Sequence, residues 1–153
     1  MQEQDIYGKC GVYLPKILDD LSQRIQEAND RVKQETGQKL FEHFNARVKQ
    51  AASMEEKCQR KNLPRTPESA LKEIRDAIGI RIVCGFIEDI YQTIEVLRQL
   101  EGCEIVLEKD YIRAAKPNGY RSYHLILEVE TPYEDCHGQN PGRYFVEIQL
   151  RTI

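Results

Sequence analysis

Arg143-Tyr144-Phe145-Val146-Glu147-Ile148-Gln149-Leu150-Arg151 is the stretch from which the fold can be read. Its side chains alternate with a period of two, which is the period of a β-strand. Tyr144, Val146, Ile148 and Leu150 form an unbroken apolar face. Phe145, Glu147, Gln149 and Arg151 form the other, a row of polar functional groups around one aromatic ring. A strand of this kind has one face in a core and one face open.

The preceding apolar segment repeats the pattern. Tyr123, Leu125, Leu127 and Val129 alternate with His124, Ile126 and Glu128. If the two strands pair, His124 shares a side with Glu147 and Gln149. A solvated sheet face would explain one such strand. Two of them beside a glycine turn and a basic segment favour a site. Residues 103–107 and 111–114 also have strand composition, and Lys116-Pro117-Asn118-Gly119 reads as the turn after them. The loop 131–142 carries two prolines and two glycines.

The first half is mostly helical by periodicity. Leu14, Ile17, Leu18, Leu21, Ile25, Ala28 and Val32 recur at spacings of three and four, with Pro15 in the first turn and Gly37 beyond the end. A shorter helical stretch is expected over 40–44, and a basic helical segment over 53–61. Thr66 reads as an N-cap with Pro67 at the first position of a helix running through Arg75. Residues 78–86 are a nearly continuous apolar run of strand length. Ile87, Ile90, Tyr91, Ile94, Leu97 and Leu100 give another helical stripe, closed by Gly102. Helices early, one crossing helix, then mostly antiparallel strands define an α+β class.

Composition narrows the function. With 153 residues the chain fits one domain. No apolar run is long enough to span a bilayer, and residues 1–9 lack a signal-peptide core, so no membrane partner and a cytoplasmic address are expected. A net charge of −3 gives no reason to expect bulk binding to DNA. The five cysteines include no CxxC pair, which argues against a disulfide framework or a zinc site. Cys84 and Cys103 read as core residues, and Cys136-His137 as part of a turn.

The basic residues are grouped. Arg47, Lys49, Lys57, Arg60 and Lys61 suit a polyphosphate, which needs several donors at once. A solvated helix face is the competing explanation, with Glu55 and Glu56 as pairing partners. There is no P-loop and no GxGxxG, so any phosphate cradle is of another kind. Asp76 lies between a helix and an apolar strand. With Glu147 it could hold a magnesium ion, which needs few protein ligands.

Lys116-Pro117-Asn118-Gly119-Tyr120-Arg121-Ser122-Tyr123-His124 resembles the KPNGYxSxH segment of RelA/SpoT-type alarmone synthetases. Arg47-Val48-Lys49 with Ser53 and Lys57 is similar to that family's RxKxxxSxxxK segment. Asp76-Ala77-Ile78-Gly79-Ile80-Arg81 resembles its strand entry, and Val146-Glu147-Ile148-Gln149-Leu150-Arg151-Thr152 its VEIQIRT strand. The four motifs occur in the family's order, from about Arg47 onward, and the long first helix looks like that of the small stand-alone synthetases. At Asn45-Ala46-Arg47 many relatives instead have a glycine before the arginine.

The resemblance implies a nucleotidyltransferase-like α+β fold with a mixed, mostly antiparallel sheet flanked by helices. Residues 1–38 would be an N-terminal helical segment and 39–153 the catalytic domain. It implies transfer of pyrophosphate from ATP to the ribose 3′-hydroxyl of GDP or GTP, with Mg2+ as cofactor. Arg47 and Arg81 would sandwich the adenine, while Lys49, Ser53 and Lys57 hold the phosphates. Tyr120 would stack on the guanine, with Asn118 and His124 nearby and Lys116 on the acceptor's phosphates. Asp76 and Glu147 would bind the metal, with Glu147 activating the hydroxyl and Gln149 supporting it. Family members continue past the strand that ends here into helices used for oligomer formation, so a homo-oligomer is expected to be weakened without them.

Two other functions fit parts of the pattern. A toxin on the same scaffold that pyrophosphorylates the 3′ end of tRNA would need an extra basic surface, which the net charge of −3 does little to support. A non-catalytic module binding guanine nucleotides would have no need of Asp76 and Glu147, and both are present.

Overall fold

The computed structural model describes residues 4–114, Pro117, Gly119 and 121–153. A 3-10 turn, Gly8–Tyr13, leads into α1, Leu14–Thr36. There the three-and-four stripe is buried from Leu14 to Ala28, Pro15 occupies the first turn, and Gly37 closes the helix at φ 80° with its N–H on the Lys33 carbonyl. The chain returns where Asn29, buried on α1, accepts the Leu40 amide at 2.6 Å.

Then follow β1 (His43–Val48), α2 (Ala51–Arg60), a short π-type turn (Ser69–Glu73), β2 (Ile78–Cys84) and α3 (Ile87–Arg98). The chain continues through β3 (Cys103–Asp110), β4 (Tyr123–Thr131) and β5 (Gly142–Thr152). The five strands form one sheet in the order β1-β2-β5-β4-β3, with β2 and β5 parallel and every other pair antiparallel. The α+β class and the mostly antiparallel sheet are as the sequence indicates.

The core lies on one side of this sheet. Ile78, Ile80 and Ile82 of β2, Leu125 and Leu127 of β4, and Val146, Ile148 and Leu150 of β5 are almost fully buried. They join the apolar stripes of α1 and of α3, where Ile90, Ile94 and Leu97 are buried, in one cluster. Helices therefore cover one face, and the alternate side chains of the same strands stand on the other.

Three expectations are corrected. Residues 43–48, partly expected as helix, form the edge strand β1: Phe44, Ala46 and Val48 are half-buried while His43, Asn45 and Arg47 are exposed. Five residues cannot hold an isolated helix, whereas pairing with β2 satisfies the backbone. Residues 111–114 are a turn rather than a strand, because the Asp110 carboxylate accepts the Ile112 and Arg113 amides. The helix begun at Pro67 stops at Glu73 rather than Arg75, although Thr66 does cap it by accepting the Ser69 amide at 3.2 Å. Ile74 is extended, which buries its side chain and delivers Asp76 to the head of β2.

Candidate active site

Register decides which groups meet on the open face. Across the sheet, Arg47 of β1 stands opposite Gly79 of β2, Gly79 opposite Glu147 of β5, and Glu147 opposite Ile126 of β4. One step along, Asn45, Arg81, Gln149 and His124 form a second row. Residues opposite one another share a face. The β1, β2 and β5 members of the two rows and the adjoining Lys49 and Asp76 line one open depression, with His124 and Ile126 of β4 beside it. No atom lies within 4 Å of where a Cβ on Gly79 would be, so this glycine leaves a gap on the face between Arg47 and Glu147.

Within the depression the carboxylates are held differently. Glu147 Oε1 accepts a hydrogen bond of 2.7 Å from Gln149 Nε2, its neighbour on the same strand face. Asp76 Oδ2 accepts from Lys49 Nζ at 2.8 Å and from Lys57 Nζ at 2.7 Å. Burial alone would raise the Asp76 pKa, but the hydrogen bonds and charges of the two lysines outweigh it and hold the carboxyl below the usual range. Its other oxygen, Oδ1, is buried without a hydrogen-bond partner.

The lysines reach Asp76 from different elements. Lys49 directly follows β1, where its amide donates to the Ala77 carbonyl at 2.8 Å. Lys57 lies in the last turn of α2. That helix starts with no side-chain cap on its first turn, whose Ser53 is exposed. Lys57 and Ser53 are four residues apart and so share a helix face. On the β4 side, His124 Nε2 is 2.9 Å from Ser122 Oγ, and the Tyr111 ring meets the imidazole edge-on with centroids 5.4 Å apart.

The fold thus gathers Arg47, Lys49, Asp76, Arg81, Glu147 and Gln149 around one depression, with Lys57 on Asp76 and His124 beside Gln149. Arg60 and Lys61 are exposed at the far end of α2 and do not line it. Glu55 pairs with Arg65, not with the cluster it sits in. Lys116, Asn118 and Tyr120 lie outside the described residues. Asn45 was not among the candidates. Its signal, alternation with Arg47 along 43–48, is cut short once 40–44 is read as helical.

Among the described residues no group of three metal-ligating side chains occurs. A pair of carboxylates in one depression, one with an unpartnered buried oxygen, still fits magnesium. That ion takes most of its ligands from phosphates and water.

A helix-backed mixed sheet whose open face carries arginines, lysines and two carboxylates, without a glycine-rich phosphate loop, defines an α+β domain of the nucleotidyltransferase-like kind. Residues 46–153 match the region found in RelA / SpoT proteins. The chain belongs to the RelA/SpoT family. It is 43% identical over 118 residues to the GTP pyrophosphokinase YwaC of Bacillus subtilis, covering 76% of this chain and 54% of that one. It is 32% identical over 138 residues to the GTP pyrophosphokinase YjbM of the same organism, covering 90% and 62%. The fold superposes on the small alarmone synthetase 1 from Bacillus subtilis bound to its product pppGpp, with a TM-score of 0.76 and 31% identity, over 93% of this chain and 70% of the other. The chain therefore spans between half and two thirds of the length of these two curated relatives. Among the described residues no helix is long and apolar enough to cross a membrane.

Proposed function

We propose that the chain is the catalytic region of a (p)ppGpp synthetase, moving pyrophosphate from ATP to the ribose 3′-hydroxyl of GDP or GTP. The observation that carries this reading is the pairing of Glu147, oriented by Gln149, with an Asp76 carboxylate ringed by lysines on one open sheet face. Residues 39–153 hold every group assigned a part in the reaction, and 1–38 braces them.

Arg47 and Arg81 stand in adjacent rows of the face and flank the adenine. Lys49, Lys57 and the uncapped first turn of α2 with Ser53 take the phosphates, so that several donors offset several charges. As the lysines swing from Asp76 to phosphate, its carboxylate is released. Asp76 and Glu147 hold Mg2+, which when bound neutralises charge on the transferred group.

Glu147 acts as the base. It takes the proton of the acceptor 3′-hydroxyl as that oxygen bonds to the β-phosphorus of ATP. The bond from that phosphorus to the bridging oxygen breaks, and AMP leaves. The guanine nucleotide lies on the His124 side, with Tyr120 stacked on the base and Asn118 and Lys116 beside it, as the sequence resemblance implies. Positioning and charge neutralisation supply most of the catalysis in such transfers. A cytoplasmic location is part of the same proposal, since ATP and guanine nucleotides are the substrates.

Incubation with γ-labelled ATP, magnesium and GDP or GTP tests it. Label should appear in a guanosine 3′-pyrophosphate only when the guanine nucleotide is present, and EDTA should abolish it. Label on added tRNA instead would identify an RNA-modifying enzyme, and transfer to neither acceptor would defeat the proposal.

A further inference from the structure

The N-terminal turn reaches the backbone behind one wall of the depression. Tyr7 is 4% exposed, and its hydroxyl donates a 2.6 Å hydrogen bond to the backbone carbonyl of Lys49, 42 residues away. The segment is itself fixed. Asp5 Oδ1 accepts the Tyr7 amide at 2.9 Å, and the Asp5 carbonyl accepts the Gly8 amide at 3.0 Å. Gly8, at φ +60°, lies so close to Pro67 that a Cβ there would be 2.9 Å from the proline ring. Tyr7 is therefore wedged in place between the loop before the π-type turn and the end of β1.

Lys49 is held at three points. Its amide donates to the Ala77 carbonyl, its carbonyl accepts from Tyr7, and its ammonium reaches Asp76. The peptide that follows is the hinge from strand to helix: Gln50 is extended, with ψ 145°, and α2 starts at Ala51. The Tyr7 hydroxyl thus fixes the plane of the peptide from which Lys49, Ser53 and Lys57 are all launched. Tyr7 lies before residue 46, where the match to the RelA/SpoT region begins. Burial raises the phenol pKa, with Asp76 and Asp5 adding to it, so the group stays a donor at neutral pH.

We propose that Tyr7 is a positioning residue for the ATP phosphates, acting through the Lys49 carbonyl to aim Lys49 and the first turn of α2. The inference rests on the assignment of Lys49, Ser53 and Lys57 to ATP. It predicts an effect on the donor nucleotide alone, because no element of the β4 side touches this hydrogen bond.

Tyr7→Phe removes the hydroxyl and keeps the ring in its pocket. Affinity for α,β-methylene ATP, measured by calorimetry in magnesium, should fall roughly tenfold, because a part-buried carbonyl loses its partner at the hinge. The KM for ATP should rise with it, while kcat stays within about twofold and the affinity for GDP is unchanged. Equal analogue affinity in wild type and variant would overturn the role of Tyr7 and leave the enzyme assignment standing. Parallel losses for ATP analogue and GDP, or a variant that does not fold, would make Tyr7 a general structural residue and also overturn it. A wild type that binds no ATP analogue would remove the synthetase reading and this inference together.

Discussion

Glu147 and Asp76 are both carboxylates, yet their neighbours hold them differently. Glu147 has an amide donor, Gln149, which orients one oxygen without cancelling the charge. Asp76 has two ammonium groups on one oxygen and nothing on the other. The first arrangement suits a proton acceptor; the second suits a ligand that exchanges lysines for other cations. Glu147→Gln should therefore lower turnover by roughly 10²–10⁴-fold, the usual contribution of a general base, with α,β-methylene ATP affinity nearly unchanged. Single-turnover kinetics and calorimetry would measure the two quantities, and undiminished turnover would remove Glu147 from the role of base. These residues were legible in the sequence because a strand's period of two leaves no freedom: once Val146 and Ile148 face the core, Glu147 and Gln149 face away. Asn45 was not legible, since five polar and apolar residues near a chain turn fit a short helix as well as an edge strand. The Tyr7 contact could not be read at all. It joins residues 42 apart through a hydroxyl and a carbonyl, and no local pattern encodes that.

At the scale of elements, long periodic segments were read correctly, and the misreadings fall in short ones. α1 and α3 each carry an apolar stripe over several turns, which local propensity and packing support together. Residues 111–114 have strand composition but are turned by the Asp110 carboxylate, a local hydrogen bond that outcompetes a ladder. The link between β4 and β5 shows tertiary constraint in its clearest form. Gly142 opens β5 directly beneath the folded-back loop, where an added Cβ would lie 2.1 Å from the Tyr133 carbonyl oxygen and 2.7 Å from the Asp135 amide. Thr131 Oγ1 donates here, at 3.0 Å from the Gly142 carbonyl. Gly142→Ala should destabilise the protein by about 1–3 kcal/mol or more, because backbone rather than a pliable side chain must move. Urea unfolding would show the loss as a lower midpoint, and an unchanged midpoint would contradict this close approach.

For the whole molecule, three aspartates among the described residues tie stability to acid. Burial would raise Asp76, Asp110 and Asp135, yet each is held below the ordinary 3.8 by its hydrogen bonds and neighbouring cations. Asp76 has Lys49 and Lys57; Asp110 has the Arg113 and Ile112 amides and Tyr91; Asp135 has the Gln139 and His137 amides and Lys72. Below about pH 4 the unfolded chain takes up protons that the folded chain still refuses, so stability falls with pH. It is fully present above the ordinary aspartate pKa and disappears as pH drops through the lower folded values. Thermal melts should be flat from neutrality to about pH 5 and drop steeply below pH 4. A melting temperature that held to pH 3 would show that these contacts contribute nothing.

The place of β5 in the sheet has a consequence for timing. It is the last strand in chain order, yet it lies between β2 and β4, and the depression takes one wall from each side of it. A chain emerging from the ribosome without residues 142–152 has its cationic half and its histidine strand with nothing joining them, and two raw sheet edges facing each other. It also lacks Glu147. A half-made copy therefore lacks the carboxylate proposed as base, and the same insertion that closes the sheet completes the depression.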